Sequence, residues 1–566
     1  MNGSYPGPTL IENVETIGFQ NGIYLSESEY LVTARGFTSQ ENANGCIENK
    51  AGNLSSQNVW CYDAVTAFTV PNATSPSGLN DLVDSEFDAI GPTSNTAISN
   101  GTNRSMLLHN VTSNNYGSTE IDNYTGTPVT RTGLVTDAWS GTAQCVWCAP
   151  TTAPTDIAAS VDIAESAIPY PSDPPVTTWV NLCNGSPADC SPSAWGAEMQ
   201  ASTSTTVYLP PGALTLSGSF TVDVPANINH IKCNYSETGA SSATRFITLN
   251  IASNSPQALW IDHCEMNYIV AHNSARTVIV SHATMGGTAP ASYTAGTGAG
   301  SLYLENVTIT PGVTFVPGQS VYFWQFDDEG PEPSGTPAAS LPTPKVIANG
   351  ATIWGVGAKH ERPTGWVLNA GSAMKVYGMF TYPVDCPVWT PNPLANLGTT
   401  TVATIVGNGT TATATFPALT GTYTGAFDNI HYVNISGVSS PSQFNGNFLG
   451  TGAQTPTTYT FPSKTSGTAT GTIKITGQQC PNIGISGITL NDSTFSGDWL
   501  QFGVSATQPQ GISYYLSDTK GGTLRTIPTT AFNAPQLMPF MYSVPSDSAD
   551  TQNRNVNIGS GAKSPD

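Results

Sequence analysis

Two short acidic runs carry the residue types that acid–base chemistry needs. Trp324-Gln325-Phe326-Asp327-Asp328-Glu329-Gly330 sets three carboxylates in a row, and a later run, Trp354-Gly355-Val356-Gly357-Ala358-Lys359-His360-Glu361-Arg362, adds a fourth. If Trp324 and Phe326 face a core, strand alternation turns Gln325, Asp327 and Glu329 to the opposite face; with Trp354 and Val356 inward, Lys359 and Glu361 project outward. Stacked strands lie about 4.8 Å apart, so Glu329 and Glu361 are expected about 5 Å apart, or roughly 10 Å if offset by one coil. Glycosidases use two carboxyl groups, about 5–5.5 Å apart for retention and about 6.5–9.5 Å apart for inversion. Glu361 is therefore the leading catalytic candidate, with Glu329 or Asp328 as its partner. Gln325, Asp327, Lys359, Arg362 and Trp366 are the substrate-binding candidates. The competing reading is that these carboxylates bind turn amides or solvent. Lys359 and Arg362 also lower the pKa of Glu361, which weakens it as an acid.

A second cluster, Trp260-Ile261-Asp262-His263-Cys264-Glu265, is followed by His272 and His282. Its spacing matches no zinc pattern, and histidines on strands are more often structural, so no metal is assigned. Lyase chemistry would need a base and Ca2+ beside a uronate, for which Arg276 and Arg362 are isolated candidates; otherwise no cofactor is expected.

The elements that must position these groups are short strands. One phrase recurs: Ile11-Glu12-Asn13-Val14-Glu15-Thr16-Ile17, Met106-Leu107-Leu108-His109-Asn110-Val111-Thr112 and Leu302-Tyr303-Leu304-Glu305-Asn306-Val307-Thr308-Ile309. Each alternates apolar and polar residues around an Asn and ends near turn formers, which predicts half-buried strands repeated as coils of a parallel solenoid. The expected organisation is a first β-helix over 1–143, truncated at its start, and a proline-rich linker over 144–203. A second β-helix follows over 204–398, then an inserted β-sandwich module over 399–478, the end of the second helix over 479–545 and a polar tail over 546–566.

Composition narrows the function. The 566 residues carry 17 basic and 38 acidic side chains, a formal charge of −21, which leaves no cluster of Lys and Arg for nucleic acid. Only 10% of residues are charged, yet 39% are hydrophobic, with 11 Trp, 21 Tyr and 19 Phe, so the chain has the material for a core. Neutral glycans fit this balance better than polyanions. The ten cysteines fall into suggestive pairs: 46 with 61, 145 with 148, 183 with 190, 233 with 264, and 386 with 480. Disulfides in an oxidising compartment are expected. The sequence has neither a signal peptide nor a transmembrane run.

The second block adds a resemblance. Thr206-Val207-Tyr208-Leu209-Pro210-Pro211-Gly212-Ala213-Leu214 resembles the entry coil of the pectate-lyase-like superfamily of right-handed β-helices. Ala351–Glu361 and Gly371–Pro383 resemble bacterial proteins related to glycoside hydrolase families 28 and 55, and two tandem helices around a proline-rich linker are similar to the family 55 layout. The resemblance implies an all-β fold of tandem right-handed parallel β-helices and a secreted, polysaccharide-degrading enzyme, a glycoside hydrolase acting on a glucan or pectin-like polymer. Asp327-Asp328 matches the paired Asp of family 28. No Gly-His-Gly or Arg-x-Lys follows it, and the Tyr-Gln-Tyr-Asn stretch associated with family 55 is missing, so neither catalytic set carries over. The alternatives are a non-catalytic glycan-binding or adhesion protein and a polysaccharide lyase. Oligomeric state is not legible. A cleft between the two helices is the natural site.

Overall fold

Parallel sheets dominate the computed structural model, which describes residues 9–140, 163–328, 345–382, 399–478 and 486–525, with shorter interior stretches outside the description. The calls on Glu329, Arg362, Cys145, Cys148, Cys386 and Cys480 lie outside the described residues, as does the side chain of Glu361.

In the first unit, Thr9–Glu12, Val32–Arg35, Leu54–Gln57, Asn80–Ala89 and Met106–Asn114 pair in parallel, in chain order. A second parallel ladder runs through Ile23–Leu25, Ile47–Asn49, Phe68–Val70, Thr96–Asn100 and Ser118–Asp122. Each pass of the chain thus adds one rung to both sheets. Val135–Ser140 and Val129–Arg131 pair antiparallel with the last rung of each and break the repeat.

The second unit repeats the plan in two ten-stranded sheets, one running from Val180–Asn181 to Ser496–Val504 and the other from Phe220–Asp223 to Thr523–Arg525. Its interior is a stack of like residues: Ile261, Val280, Leu304 and Phe323 follow one another rung by rung and are 3% exposed or less. Burying each such side chain contributes roughly 1.5–3 kcal/mol. The helix Pro192–Ala201, with Pro at its first turn, lays Trp195 and Met199 into the same core beside the first rungs. Between the strand pairs Trp366–Asn369/Ser486–Leu490 and Ala373–Tyr382/Ser496–Val504, which are neighbouring rungs, the chain forms two four-stranded antiparallel sheets with their own core of Ile405, Phe416, Phe444, Tyr459 and Phe461.

Among the described residues three disulfides, Cys46–Cys61, Cys183–Cys190 and Cys233–Cys264, join the expected partners. Among the described residues no helix is long and apolar enough to cross a membrane.

The Asn of the recurring phrase has a backbone role. Asn13, Asn110 and Asn306 have φ of 50°, 50° and 52°, in the left-handed region that Asn tolerates because its short polar side chain bonds locally. Asn58, Asp84, Asn234, His263, His282 and Gln325 take the same conformation, and Gly36, Gly357 and Gly378 do so without a side chain. Each kink resets the strand's alternation. The expected phase therefore fails at Trp324: Phe323 and Phe326 pack together and against Trp366, whereas the Trp324 indole turns to the first unit and donates to Gln57 Oε1 at 2.7 Å.

Candidate active site at the seam of the two units

The residue just before a kink faces away from its own core, except ahead of Asn234, where Cys233 is in the core and Lys232, two residues before the kink, pairs with Asp262; both units thus present a column of outward residues. In the first the column reads Glu12, Arg35, Gln57, Val83, His109; in the second, Lys232, Asp262, Ser281, Glu305, Trp324, Val356, Tyr377. The columns run side by side. Arg35 Nη1 donates to Glu305 Oε1 at 2.7 Å, and its guanidinium lies 4.1 Å from the Trp324 ring centre. The His109 and Tyr377 rings meet at 5.2 Å. Two glycines show how tightly the backbones approach. A Cβ on Gly357 (φ 71°) would stand 2.0 Å from Thr33 Oγ1, and one on Gly378 (φ 73°) 1.8 Å from Ser55 Oγ.

Below Glu12 the first column ends among the described residues, while the second continues through Ser281, Asp262 and Lys232. That mismatch opens a notch. Residues 163–183, within the expected linker, run along it without regular structure apart from one short turn and a two-residue strand. They are pinned at several points. Tyr170 donates its hydroxyl to Glu305 Oε2, Ser166 and Tyr303 share a hydrogen bond of 2.8 Å, and Asp173 binds Thr206 Oγ1 at 2.7 Å and His230 Nδ1 at 2.8 Å. The Tyr170 ring meets Trp260 edge-on at 4.7 Å, and Trp260 stacks on His230 at 4.0 Å.

Two kinds of proton-active group sit in this notch. Arg35 Nη1 also donates to Glu12 Oε1 at 3.0 Å, so Glu12 and Glu305 share one guanidinium. Glu305 takes Arg35 and Tyr170 as donors and is 2% exposed; Glu12, 22% exposed, shares Arg35 and also hydrogen-bonds to Glu305. Burial and then the charge of Glu305 push the Glu12 carboxyl up to about 7, against the opposing pull of Arg35. Asp262 behaves oppositely. Burial alone would raise it, but His230 and Lys232 outweigh burial and hold it well below the usual carboxylate range. Lys232 Nζ donates to its Oδ2 at 2.6 Å and Ser281 Oγ to its Oδ1 at 2.9 Å.

His263 Nδ1 lies 2.5 Å from Asp262 Oδ1. An ionised carboxylate can only accept, so the shared proton belongs to Nδ1 and the lone pair to Nε2. Burial lowers the His263 pKa, against the pull of Asp262. The result is a neutral imidazole oriented by a buried carboxylate, the arrangement that makes a general base. His282 stacks on His263 at 5.0 Å, with its Nδ1 3.8 Å from Asp262.

Donor atoms of Asp262, His263 and His282, and of Glu12, His282 and Glu305, come within 4.8 Å of one another. A cation would have to draw on these sets. Asp262 is already engaged by Lys232, Ser281 and His263, and Glu305 by Arg35 and Tyr170, so both carboxylates find their partners within the protein.

The described residues among those singled out from the acidic runs lie elsewhere. Asp328 is fully buried and accepts the Trp366 indole N–H at 2.5 Å; Trp366 is 1% exposed and belongs to the core. Asp327 faces Lys359 at 3.5 Å, both buried, and Gln325 accepts from Thr33 at 2.6 Å within the seam. Asp328 stands opposite His360 in the ladder. A substrate has no surface at these five positions. His272, from the second cluster, is also interior, bonded to Tyr293 and the Arg276 carbonyl, and burial lowers its pKa to about 4. Arg276 is buried and donates to the carbonyls of Gln257 and Ile228. Glu12, Arg35, Tyr170 and Glu305 were missed, although Glu12 and Glu305 hold the same place in the repeated phrase, directly before its Asn.

No family model matches the chain, and no curated protein matches it.

Proposed function

We propose that the protein is an extracellular glycoside hydrolase of tandem right-handed β-helices, with its catalytic acid and base in the notch between them. The observation that carries this reading is the division of protons there: a partly exposed carboxyl, Glu12, pushed up to about 7, lies next to His282, which stacks on a neutral imidazole, His263, backed by an ionised Asp262. In the reaction Glu12 gives its proton to the glycosidic oxygen as the bond to the anomeric carbon breaks. His263 Nε2 takes a proton from a water whose oxygen bonds to that carbon. Solvent exchange then returns Glu12 and His263 to their starting states. A base that activates water rather than attacking the sugar implies inversion. Tyr170, 40% exposed, offers ring surface beside the acid for a sugar. Three disulfides support an oxidising compartment.

The test is a panel of β-1,3-glucans, pectins and other glycans, read for new reducing ends, for the ultraviolet absorbance of unsaturated uronates and for product anomers by NMR. Inverted reducing ends, lost in Glu12→Gln and His263→Asn but kept in Glu361→Gln, are the expected result. Full activity in Glu12→Gln refutes the site. Unsaturated products would make the enzyme a lyase, and silence on every substrate would leave a binding protein.

A further inference from the structure

The first unit carries a second concave surface that the notch does not use. Beyond Glu15–Ile17 the chain turns toward Ile23–Leu25, and there Phe19, Asn21, Tyr24, Asn44, Glu48 and Lys50 line an open cleft of about 710 Å³. Phe19 is 60% exposed and Tyr24 40%, beside Ile17 at 55%.

This exposure is built in. The Phe19 N–H donates to Asn42 Oδ1 at 3.0 Å, and its carbonyl accepts from the Ala43 N–H at 2.9 Å; the Gln20 carbonyl accepts from Asn44 at 2.8 Å. Asn42 is itself buried and held by Asp63 Oδ1 at 2.6 Å and Ser39 Oγ at 2.6 Å. With its backbone fixed on both sides, the Phe19 ring has no route to the core. The same cleft is lined by polar groups. Asn21 Nδ2 donates to Glu48 Oε2 at 3.2 Å, while Asn21 Oδ1 is screened from solvent without a partner. Lys50 donates to the Tyr24 hydroxyl at 2.7 Å and faces Glu48 at 3.5 Å, so the cleft's two charges cancel.

Exposed rings lining one cleft with amides and a carboxylate match a sugar, whose C–H faces stack on rings and whose hydroxyls take paired hydrogen bonds. The cancelled charges, within a chain of net charge −21, disfavour a polyanion. We propose that this cleft is a binding subsite for a neutral oligosaccharide or polysaccharide, separate from the catalytic notch and sharing with the proposed function only the class of ligand.

Affinity electrophoresis of the full chain tests it, in gels containing laminarin, mixed-linkage β-glucan, galactomannan or polygalacturonate. The Glu12→Gln protein serves as parent, so that cleavage does not consume the probe. Retardation of the parent by at least one neutral glycan is expected, with affinity reduced about tenfold or more by Phe19→Ala and by Tyr24→Ala. Both rings are exposed, and an unchanged circular dichroism spectrum confirms that each variant is folded. The inference is overturned if the parent is retarded by no neutral glycan, if only polygalacturonate retards it, or if both variants migrate with the parent. Retardation by a protein whose Glu12-containing form releases no reducing ends would sink the hydrolase and leave the subsite standing.

Discussion

Replacing Arg35 by Gln should loosen the seam far more than a surface charge change would. Arg35 is 17% exposed and Glu305 2%, and their 2.7 Å contact crosses between the units. Removing one partner of such a buried pair typically costs about 3–5 kcal/mol, because the remaining charge is left uncompensated. The stacking of the guanidinium on Trp324 adds about 0.5–2 kcal/mol. The loss should depend on pH, with a definite sign. In the native protein the Glu12 pKa is raised from 4.5 to about 7, so its contribution to stability is present in full below about pH 4.5 and disappears as pH rises through 7. Arg35 is the group that pulls Glu12 down. Without it Glu12 keeps its proton to higher pH, so the penalty is greatest at pH 8 and shrinks toward pH 5.5. Urea unfolding followed by tryptophan fluorescence measures this, with Trp324 directly under the lost guanidinium. Arg35→Met combined with Glu305→Gln removes both charges and should recover most of the loss. A single-variant loss below about 1 kcal/mol, or a double variant no better than the single one, would show that the columns do not hold the units together.

Three further outcomes follow from the same geometry. Activity should trace a narrow bell in pH, rising as His263 loses its proton below its ordinary value and falling at about pH 7 as Glu12 ionises; Glu12→Gln and His263→Asn should each cost about 10²–10⁴ in kcat, and an alkaline limb well above pH 8 would exclude Glu12 as the acid. Gly357→Ala should destabilise by more than the roughly 1–2 kcal/mol of its backbone conformation, because its Cβ meets Thr33 Oγ1; adding Thr33→Ala should recover part of the loss in thermal melts, and no recovery would deny the close approach. Cys233→Ala with Cys264→Ala opens a bridge spanning 31 residues and should cost roughly 2–4 kcal/mol, read as a lowered urea midpoint, whereas an unchanged midpoint would mean the bridge adds nothing to the fold.

What the sequence disclosed and what it hid have one physical origin. Alternation and turn residues were enough to read an all-β chain with parallel sheets, because these report local burial. The three described disulfides were legible too, since their partners lie close in sequence or on adjoining rungs. The Asn of the phrase was visible, but simple alternation does not include a left-handed residue, and each one shifts the outward face by a position. That shift turned Trp324 from an expected core residue into a contact with Gln57, and it turned the residue before Asn into the one that leaves its own core. Glu12 and Glu305 are thus equivalent within their units, and the notch exists because two columns of such positions meet out of step. Arg35 and Glu305 are 270 residues apart, and no local pattern encodes their meeting. The acidic run at 324–330 drew attention by composition, whereas Asp327 faces Lys359 and Asp328 accepts from Trp366 inside the protein. In a chain built from repeats, the better guide to chemistry is a carboxylate at the outward position directly before the left-handed residue, and Glu12, Asp262 and Glu305 each carry one there.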